Sequence, residues 1–133
     1  MKERNQVALV TGASRGLGAA TALLLSRNGY AVCVNYNHNI EQALAIVETI
    51  QDEGGEAVAI QADVSDPKQI KKLFTFLDNE LGQLTALINN AGFTGARCKV
   101  SDLDVETIRK TIDTNITGLI LCAKEAIKRM SKS

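Results

Sequence analysis

An apolar run, Val7-Ala8-Leu9-Val10, leads into Thr11-Gly12-Ala13-Ser14-Arg15-Gly16-Leu17-Gly18, and a helical pattern begins on the last glycines. Strand, glycine turn and helix in this order constrain the chain more than any other stretch. Gly12 lets the chain leave the strand through a turn that a β-carbon would crowd. Gly16 brings bare backbone close to a bound anion, and Gly18 lets the new helix pack tightly on the strand. The helix N-terminus aims unpaired N–H groups, and the positive end of its dipole, at the same place. This is the layout of a nucleotide phosphate-binding turn. Its spacing, Gly-x-x-x-Gly-x-Gly, differs from the Gly-x-Gly-x-x-Gly of the common dinucleotide fingerprint. A glycine triplet alone also suits a strand–helix turn without a ligand, so the rest of the chain decides.

Strand and helix signals alternate from there. The apolar runs 7–10, 31–34, 57–60 and 86–88 suit short strands buried on both faces. The first helical pattern, from Gly16 to about Asn28-Gly29, puts Leu17, Ala20, Thr21, Leu24 and Leu25 on its expected inner face. The second takes Asn39 as its cap, buries Ile40, Ala43, Leu44, Val47 and Ile50, and ends at Gly54-Gly55. The third opens on Asp66, with Pro67 at the first helical position and Gln69 three residues after the cap. Its inner residues Ile70, Leu73, Phe74, Leu77 and Leu81 repeat with the helical period, and Gly82 stops it. Asn89-Asn90-Ala91-Gly92 follows the fourth strand. A loop through Lys99 then leads to a weaker helix carrying Leu103, Val105, Ile108 and Ile112. The last helix carries Ile116, Leu119, Ile120, Ala123, Ile127 and Met130.

The order β-α-β-α-β-α-β-α-α predicts an α/β fold: a doubly wound parallel sheet in the order 3-2-1-4, with helices on both faces. Ligands bind such sheets at the carboxyl ends of the strands, where the order reverses. The glycine turn and Asn89-Asn90-Ala91-Gly92 both fall there, after strands 1 and 4. With four strands, strand 4 is an unpaired edge.

With 133 residues the chain has room for one domain and one core. Fifteen basic residues balance fifteen acidic ones, which gives no electrostatic case for nucleic acid or an anionic membrane surface. The cysteines, Cys33, Cys98 and Cys122, are odd in number and contain no Cys-x-x-Cys. They read as free thiols of a reducing compartment. No apolar run approaches membrane-spanning length. The apolar stretch after Lys2-Glu3-Arg4 is short and is itself the first strand, so no signal peptide is expected. The cytoplasm is the expected location, and no metal site is expected.

Four motifs now coincide in order and position. Thr11 to Gly18 resembles the Thr-Gly-x-x-x-Gly-x-Gly cofactor motif of the short-chain dehydrogenase/reductase family. Asp63-Val64, after strand 3, resembles the family's adenine-contacting pair. Asn89-Asn90-Ala91-Gly92 matches its Asn-Asn-Ala-Gly motif, and Asn115 in Thr114-Asn115-Ile116-Thr117-Gly118 matches the asparagine of its catalytic tetrad. The resemblance covers the chain from about Val7 to about Met130. It is shared about equally with 3-oxoacyl-thioester reductases and glucose-dehydrogenase-like members.

The resemblance implies a Rossmann-type dinucleotide domain, incomplete at its C-terminal end, and hydride transfer between a nicotinamide and a carbonyl or secondary alcohol. Gly12, Gly16 and Gly18 would form the pyrophosphate turn, with Ser14, Arg15 and Leu17 in the same stretch. Asp63, beside Val64, would bond the adenine amino group. The backbone of Asn90, Ala91 and Gly92 would line the adenosine ribose. Asn115 would hold a water in a proton relay. Plainer roles stand beside these: Asp63 as the cap of the turn before Ser65, Asn89 and Asn90 as turn residues, and Asn115 as a buried amide or an N-cap. The family commonly uses the last helix as a subunit interface, which implies a homo-oligomer. The stripe from Ile116 to Met130 fits a partner helix as well as it fits the sheet.

A free ribose 2′-hydroxyl usually meets an acid at the end of strand 2. Here that place reads Val34-Asn35-Tyr36-Asn37-His38, with no carboxylate before Glu41. Asn35 and Tyr36 do not repel a 2′-phosphate, and Arg15 is placed to pair with one. NADP(H) is therefore expected over NAD(H).

The family's chemistry also needs a serine and a Tyr-x-x-x-Lys pair. The tyrosines here are Tyr30 and Tyr36, and neither has a lysine four residues on. Ser65-Asp66-Pro67-Lys68 spells Ser-x-x-Lys but reads as a helix start. Two readings follow. These residues are either the cofactor half of a reductase, inactive by themselves, or a nucleotide-binding or assembly module without catalysis.

Overall fold

A computed structural model describes residues 6–95 and 97–130; Lys2-Glu3-Arg4 and the polar Ser131-Lys132-Ser133 lie outside the described residues. Four strands, β1 (Gln6–Val10), β2 (Tyr30–Tyr36), β3 (Ala57–Gln61) and β4 (Ala86–Ile88), form one sheet in the order β3-β2-β1-β4. All three pairings are parallel, as the alternation of strands and helices requires. Val10 is in register with Val34 on one side and Ile88 on the other, so β1 and β4 end together while β2 runs two residues further. β1 from Val7 onward and β2 from Ala31 onward are buried, as central strands covered on both faces must be. β4 is an edge and only half-buried.

The helices are α1 (Gly16–Arg27), α2 (Ile40–Asp52), α3 (Pro67–Glu80), α4 (Val105–Ile112) and α5 (Leu119–Met130). A short 3-10 turn, Val100–Asp102, precedes α4, and a wide π-type turn, Asp113–Gly118, joins α4 to α5. Strand alternation divides the core in two. Val7, Leu9 and Cys33 face α3 and α5 and pack with Ile70, Leu73, Phe74, Leu77, Cys122 and Ala126. Val10, Val32 and Val34 face α1 and α2 and pack with Ala22, Ala43, Val47 and Ile50. Arg129 ties α5 to α3: its guanidinium donates to both Asp78 carboxylate oxygens at 2.8 and 2.9 Å and lies over the Phe74 ring.

The start of α3 forms as its sequence predicts. Asp66 accepts from the Lys68 amide at 3.0 Å, Gln69 donates to the second Asp66 oxygen at 3.1 Å, and Pro67 opens the helix. Ser65-Asp66-Pro67-Lys68 is thus a capped helix start.

Helix faces differ from expectation in three places. In α1, Leu17 and Leu24 are 81% and 61% exposed, Ala20 is exposed, and the buried residues are Gly18, Ala19 and Ala22. The helix lies so close to the sheet that only its small residues fit between. In α2, Ala43, Val47 and Ile50 are buried, but Ile40 and Leu44 stay exposed on its flank, and Asn39 holds the cap position without a side-chain bond. In α4, α5 and the turn between them, Val105, Ile108, Ile112, Ile116, Leu119, Ile120 and Ile127 are exposed; α5 reaches the core through Cys122 and Ala126. The sheet covers the small-residue side of α5 and leaves the apolar stripe outward.

Candidate cofactor site

The glycine turn is held in place from β4 and β2. Thr11, 1% exposed, immediately follows β1, and its hydroxyl accepts from the Asn90 and Ala91 amides, both at 3.0 Å. The Asn90 side chain donates back to the carbonyls of Thr11 and Gly12, both at 3.0 Å. From the other side, Asn35 accepts from the Gly12 amide at 3.2 Å and donates to the carbonyls of Ile60 and Ala62 at 3.2 Å each. Asn35 is 2% exposed. Its amide therefore joins the ends of three strands and is engaged within the fold.

The three glycines differ in what surrounds them. Gly12 and Gly16 both have φ near +59°, a region that L side chains rarely adopt. A β-carbon on Gly16 would meet nothing within 4 Å, so that backbone faces open space. One on Gly18 would lie 2.6 Å from the Gly12 carbonyl oxygen and 2.9 Å from the Ala13 α-carbon, so this position sets how closely α1 approaches the turn.

These elements border a cleft of about 480 Å³ at the carboxyl ends of the strands. Gly12, Ser14, Arg15, Gly16, Asn35, Tyr36, Asp63, Val64, Asn90, Ala91 and Gly92 all line it. Leu17 and Gly18 do not: Leu17 points to solvent, and Gly18 packs beneath the turn. Arg15, exposed, stands immediately before α1 in extended backbone. One Asp63 oxygen, Oδ1, accepts from the Ser65 amide at 2.9 Å and the Ser65 hydroxyl at 2.7 Å. Its other oxygen has no hydrogen-bond partner among the described residues. The turn-capping role of Asp63 thus leaves one oxygen available to a ligand.

Asn115 lies outside the lining and caps no helix. It sits inside the π-type turn, a geometry often found at functional sites. Its Oδ1 accepts from the Phe93 amide and its Nδ2 donates to the Phe93 carbonyl, both at 2.7 Å. Gly118, at the end of that turn, is buried against the Val64 carbonyl, where a β-carbon would collide. Asn115 is thereby anchored beside the cleft, and Phe93 is held at its rim.

Thr11, Asn37, His38, Phe93, Lys110 and Thr114 also belong to the site. All but Thr11 line the cleft, and the Lys110 ammonium stands 4.3 Å from the Phe93 ring centroid. Thr11 carried a signal, being the first residue of the glycine motif. Lys110 carried none, because only the packing of α4 brings it to this wall. The two buried thiols, Cys33 and Cys122, are poor candidates for chemistry. Burial, with Glu125 nearby, pushes Cys122 up to about 11, and burial also raises Cys33. Among the described residues, no group of three His, Cys, Asp or Glu side chains could hold a metal, and no helix is long and apolar enough to cross a membrane.

A glycine turn, a braced Asn-Asn-Ala-Gly segment and an anchored asparagine surround one cleft. The short chain dehydrogenase family model matches residues 6–133. The chain belongs to the short-chain dehydrogenase/reductase family. It is 47% identical over 125 residues to the uncharacterized oxidoreductase YgfF of Escherichia coli, covering 94% of this chain and 51% of the relative. It is 42% identical over 127 residues to a 3-oxoacyl-[acyl-carrier-protein] reductase of Synechocystis, covering 96% of this chain and 51% of that one. Among solved structures, a short chain dehydrogenase from Burkholderia cenocepacia in complex with NADP superposes with a TM-score of 0.90 at 35% identity. That match covers 96% of this chain and 53% of the other. The chain spans about half the length of the curated relatives it matches. Family membership makes it part of an oxidoreductase family and accounts for the Rossmann sheet.

Proposed function

We propose that these residues form the cofactor-binding part of an NADP(H)-dependent oxidoreductase acting on a carbonyl or secondary alcohol. The observation that carries this reading is the cleft, where Gly16 presents open backbone beside Arg15, with Asp63 and the Asn90-Ala91-Gly92 segment on the other walls. The cradle fits a dinucleotide. The N-terminus of α1 would receive the pyrophosphate, the free oxygen of Asp63 the adenine, and Arg15 a 2′-phosphate. When bound, the nicotinamide supplies the hydride chemistry. The protein's part here is to hold the cofactor and, through Asn115, to position Phe93 at the cleft rim.

The NADP complex of the Burkholderia relative supports the phosphate-bearing cofactor. In this reading the domain continues beyond these residues, and the serine, tyrosine and lysine that move the substrate's proton stand there. The protein is a cytoplasmic homo-oligomer, with exposed Ile116 of the π-type turn and Ile120 and Ile127 of α5 as its subunit-facing surface.

Fluorescence titration of NADPH and NADH against wild type and Arg15→Ala tests the cofactor assignment. NADPH affinity is expected to fall roughly tenfold, the size of a charge-assisted hydrogen bond, while NADH affinity stays nearly constant. An equal loss for both cofactors removes the phosphate role from Arg15.

A further inference from the structure

We propose that Lys110 is a positioning residue of the cleft: its ammonium holds the Phe93 ring against the α4 wall and so keeps the space for a dinucleotide clear. This rests on the cofactor reading above.

Phe93 is fixed through its backbone. The two bonds from Asn115 reach its amide and its carbonyl, and they leave the side-chain torsions to choose among their staggered wells. The residue is half-buried and lines the cleft. Its ring belongs to neither apolar core, so core packing does not choose its direction. A ring at this rim can lie against α4 or swing over the opening. In the structure the Lys110 ammonium stands over it, 4.3 Å from the centroid. A cation over an aromatic face is attracted by the quadrupole of the ring.

The wall itself brings the two together. Thr107, Lys110 and Thr111 share one face of α4. The loop after Phe93 runs close along that face: a β-carbon on Gly95 would lie 3.2 Å from the Thr107 methyl carbon and 3.7 Å from the Thr111 hydroxyl oxygen. Lys110 is exposed and has no carboxylate partner among the described residues, although Glu106 and Asp113 stand close to it along the chain. The ammonium is engaged by the ring instead of by an ion pair.

A ring released from Lys110 would spend part of its time over the cleft. A ligand that binds only the open arrangement then loses affinity in proportion to the open fraction. The loss should fall on NADPH and NADH alike, because an obstructing ring takes no account of a 2′-phosphate. Arg15→Ala, by contrast, is expected to affect NADPH alone.

Calorimetric titration of NADPH and NADH into the intact protein tests this with Lys110→Gln, Lys110→Arg, Phe93→Ala and the double variant Lys110→Gln/Phe93→Ala. Lys110→Gln should weaken both cofactors about threefold, the weight of one exposed cation–π contact. Lys110→Arg keeps the cation and should restore wild-type affinity. Once Phe93→Ala has removed the ring, Lys110→Gln should have no further effect. A loss that persists undiminished in the double variant overturns the proposal, since Lys110 then acts on the ligand by its charge. So does a loss confined to NADPH, or equal affinities in wild type and Lys110→Gln. A second readout needs no cofactor. These 133 residues contain no tryptophan, and Phe93→Trp adds an indole at the contact, read against the parent protein as blank. Adding Lys110→Gln should make that indole more accessible to acrylamide quenching; unchanged quenching overturns the proposal. Failure of wild type to bind either cofactor sinks the cofactor reading, whereas the indole signal still decides whether Lys110 holds the ring.

Discussion

The side chain of Asn115 and the backbone of Phe93 form a closed pair of hydrogen bonds, 2.7 Å in each direction. One side chain thus satisfies both polar groups of a residue in a loop that has no strand to pair with. It also couples the turn between α4 and α5 to the rim of the cleft. Asn115→Leu removes both bonds and is expected to destabilise the protein by roughly 1–3 kcal/mol. Asn115→Asp keeps the acceptor for the Phe93 amide but loses the donor to its carbonyl. Urea unfolding should rank the aspartate variant between wild type and leucine.

Thr11 makes a comparable junction between β1 and the segment after β4. Thr11→Val is nearly isosteric but leaves the Asn90 and Ala91 amides without the hydroxyl they share. The Asn90 amide keeps the Ile88 carbonyl at 3.0 Å, so the loss falls on the orphaned Ala91 amide and is expected to cost roughly 1–3 kcal/mol. Thr11→Ser retains the hydroxyl and loses one methyl, so about 1 kcal/mol is expected. Thermal unfolding of the pair separates hydrogen bonding from packing.

Gly16 and Gly18 should fail in different assays. Gly18→Ala forces a β-carbon against the Gly12 carbonyl and the Ala13 backbone, an overpacking expected to cost roughly 1–3 kcal/mol. Gly16→Ala meets no neighbour and bears only the strain of its positive φ, about 1–2 kcal/mol. In the proposed binding mode its methyl group would stand where the cofactor approaches. Gly16→Ala should therefore lose more cofactor affinity than stability, with denaturation and NADPH titration as the two readouts.

Two helix caps predict an acid response. Asp66 is held below the usual carboxylate range by the Gln69 side-chain amide and the Lys68 backbone, and Asp104 by the Thr107 backbone amide and side chain. A folded-state value below the unfolded one means that the stabilisation is present above about pH 4, the ordinary carboxylate value. It is lost as pH falls through the lower, folded value. In urea titrations at decreasing pH, Asp66→Asn and Asp104→Asn should flatten this part of the stability profile. An unchanged slope in both variants would remove the caps from the acid response.

Much of this could be read from residue order. The alternation of apolar runs with capped, glycine-ended helices specified the parallel sheet and its order, because right-handed crossovers leave few other arrangements. The Asp66-Pro67-Gln69 start of α3 was legible because capping is a local interaction. The glycine spacing located the cleft for the same reason. Periodicity misjudged α1, where Leu17 and Leu24 carry the pattern but Gly18, Ala19 and Ala22 make the contact. Large apolar side chains mark an inner face only when the neighbour is far enough away to admit them. The α5 stripe illustrates the same limit, since Cys122 and Ala126 are its buried members.

The sequence by itself determined the elements, their order in the sheet and the glycine turn, because the elements and the turn follow from contacts between near neighbours in the chain and the order follows from right-handed crossovers between them. The tertiary structure alone decided that Thr11 would join β1 to the Asn90 segment and that Asn35 would be engaged inside the fold. It also decided that Asn115 would grip Phe93, and that Lys110 and His38 would reach the cleft. Each of these is a hydrogen bond or an approach across more than twenty residues of chain. No local pattern encodes the distance between two segments that only the packed sheet brings together.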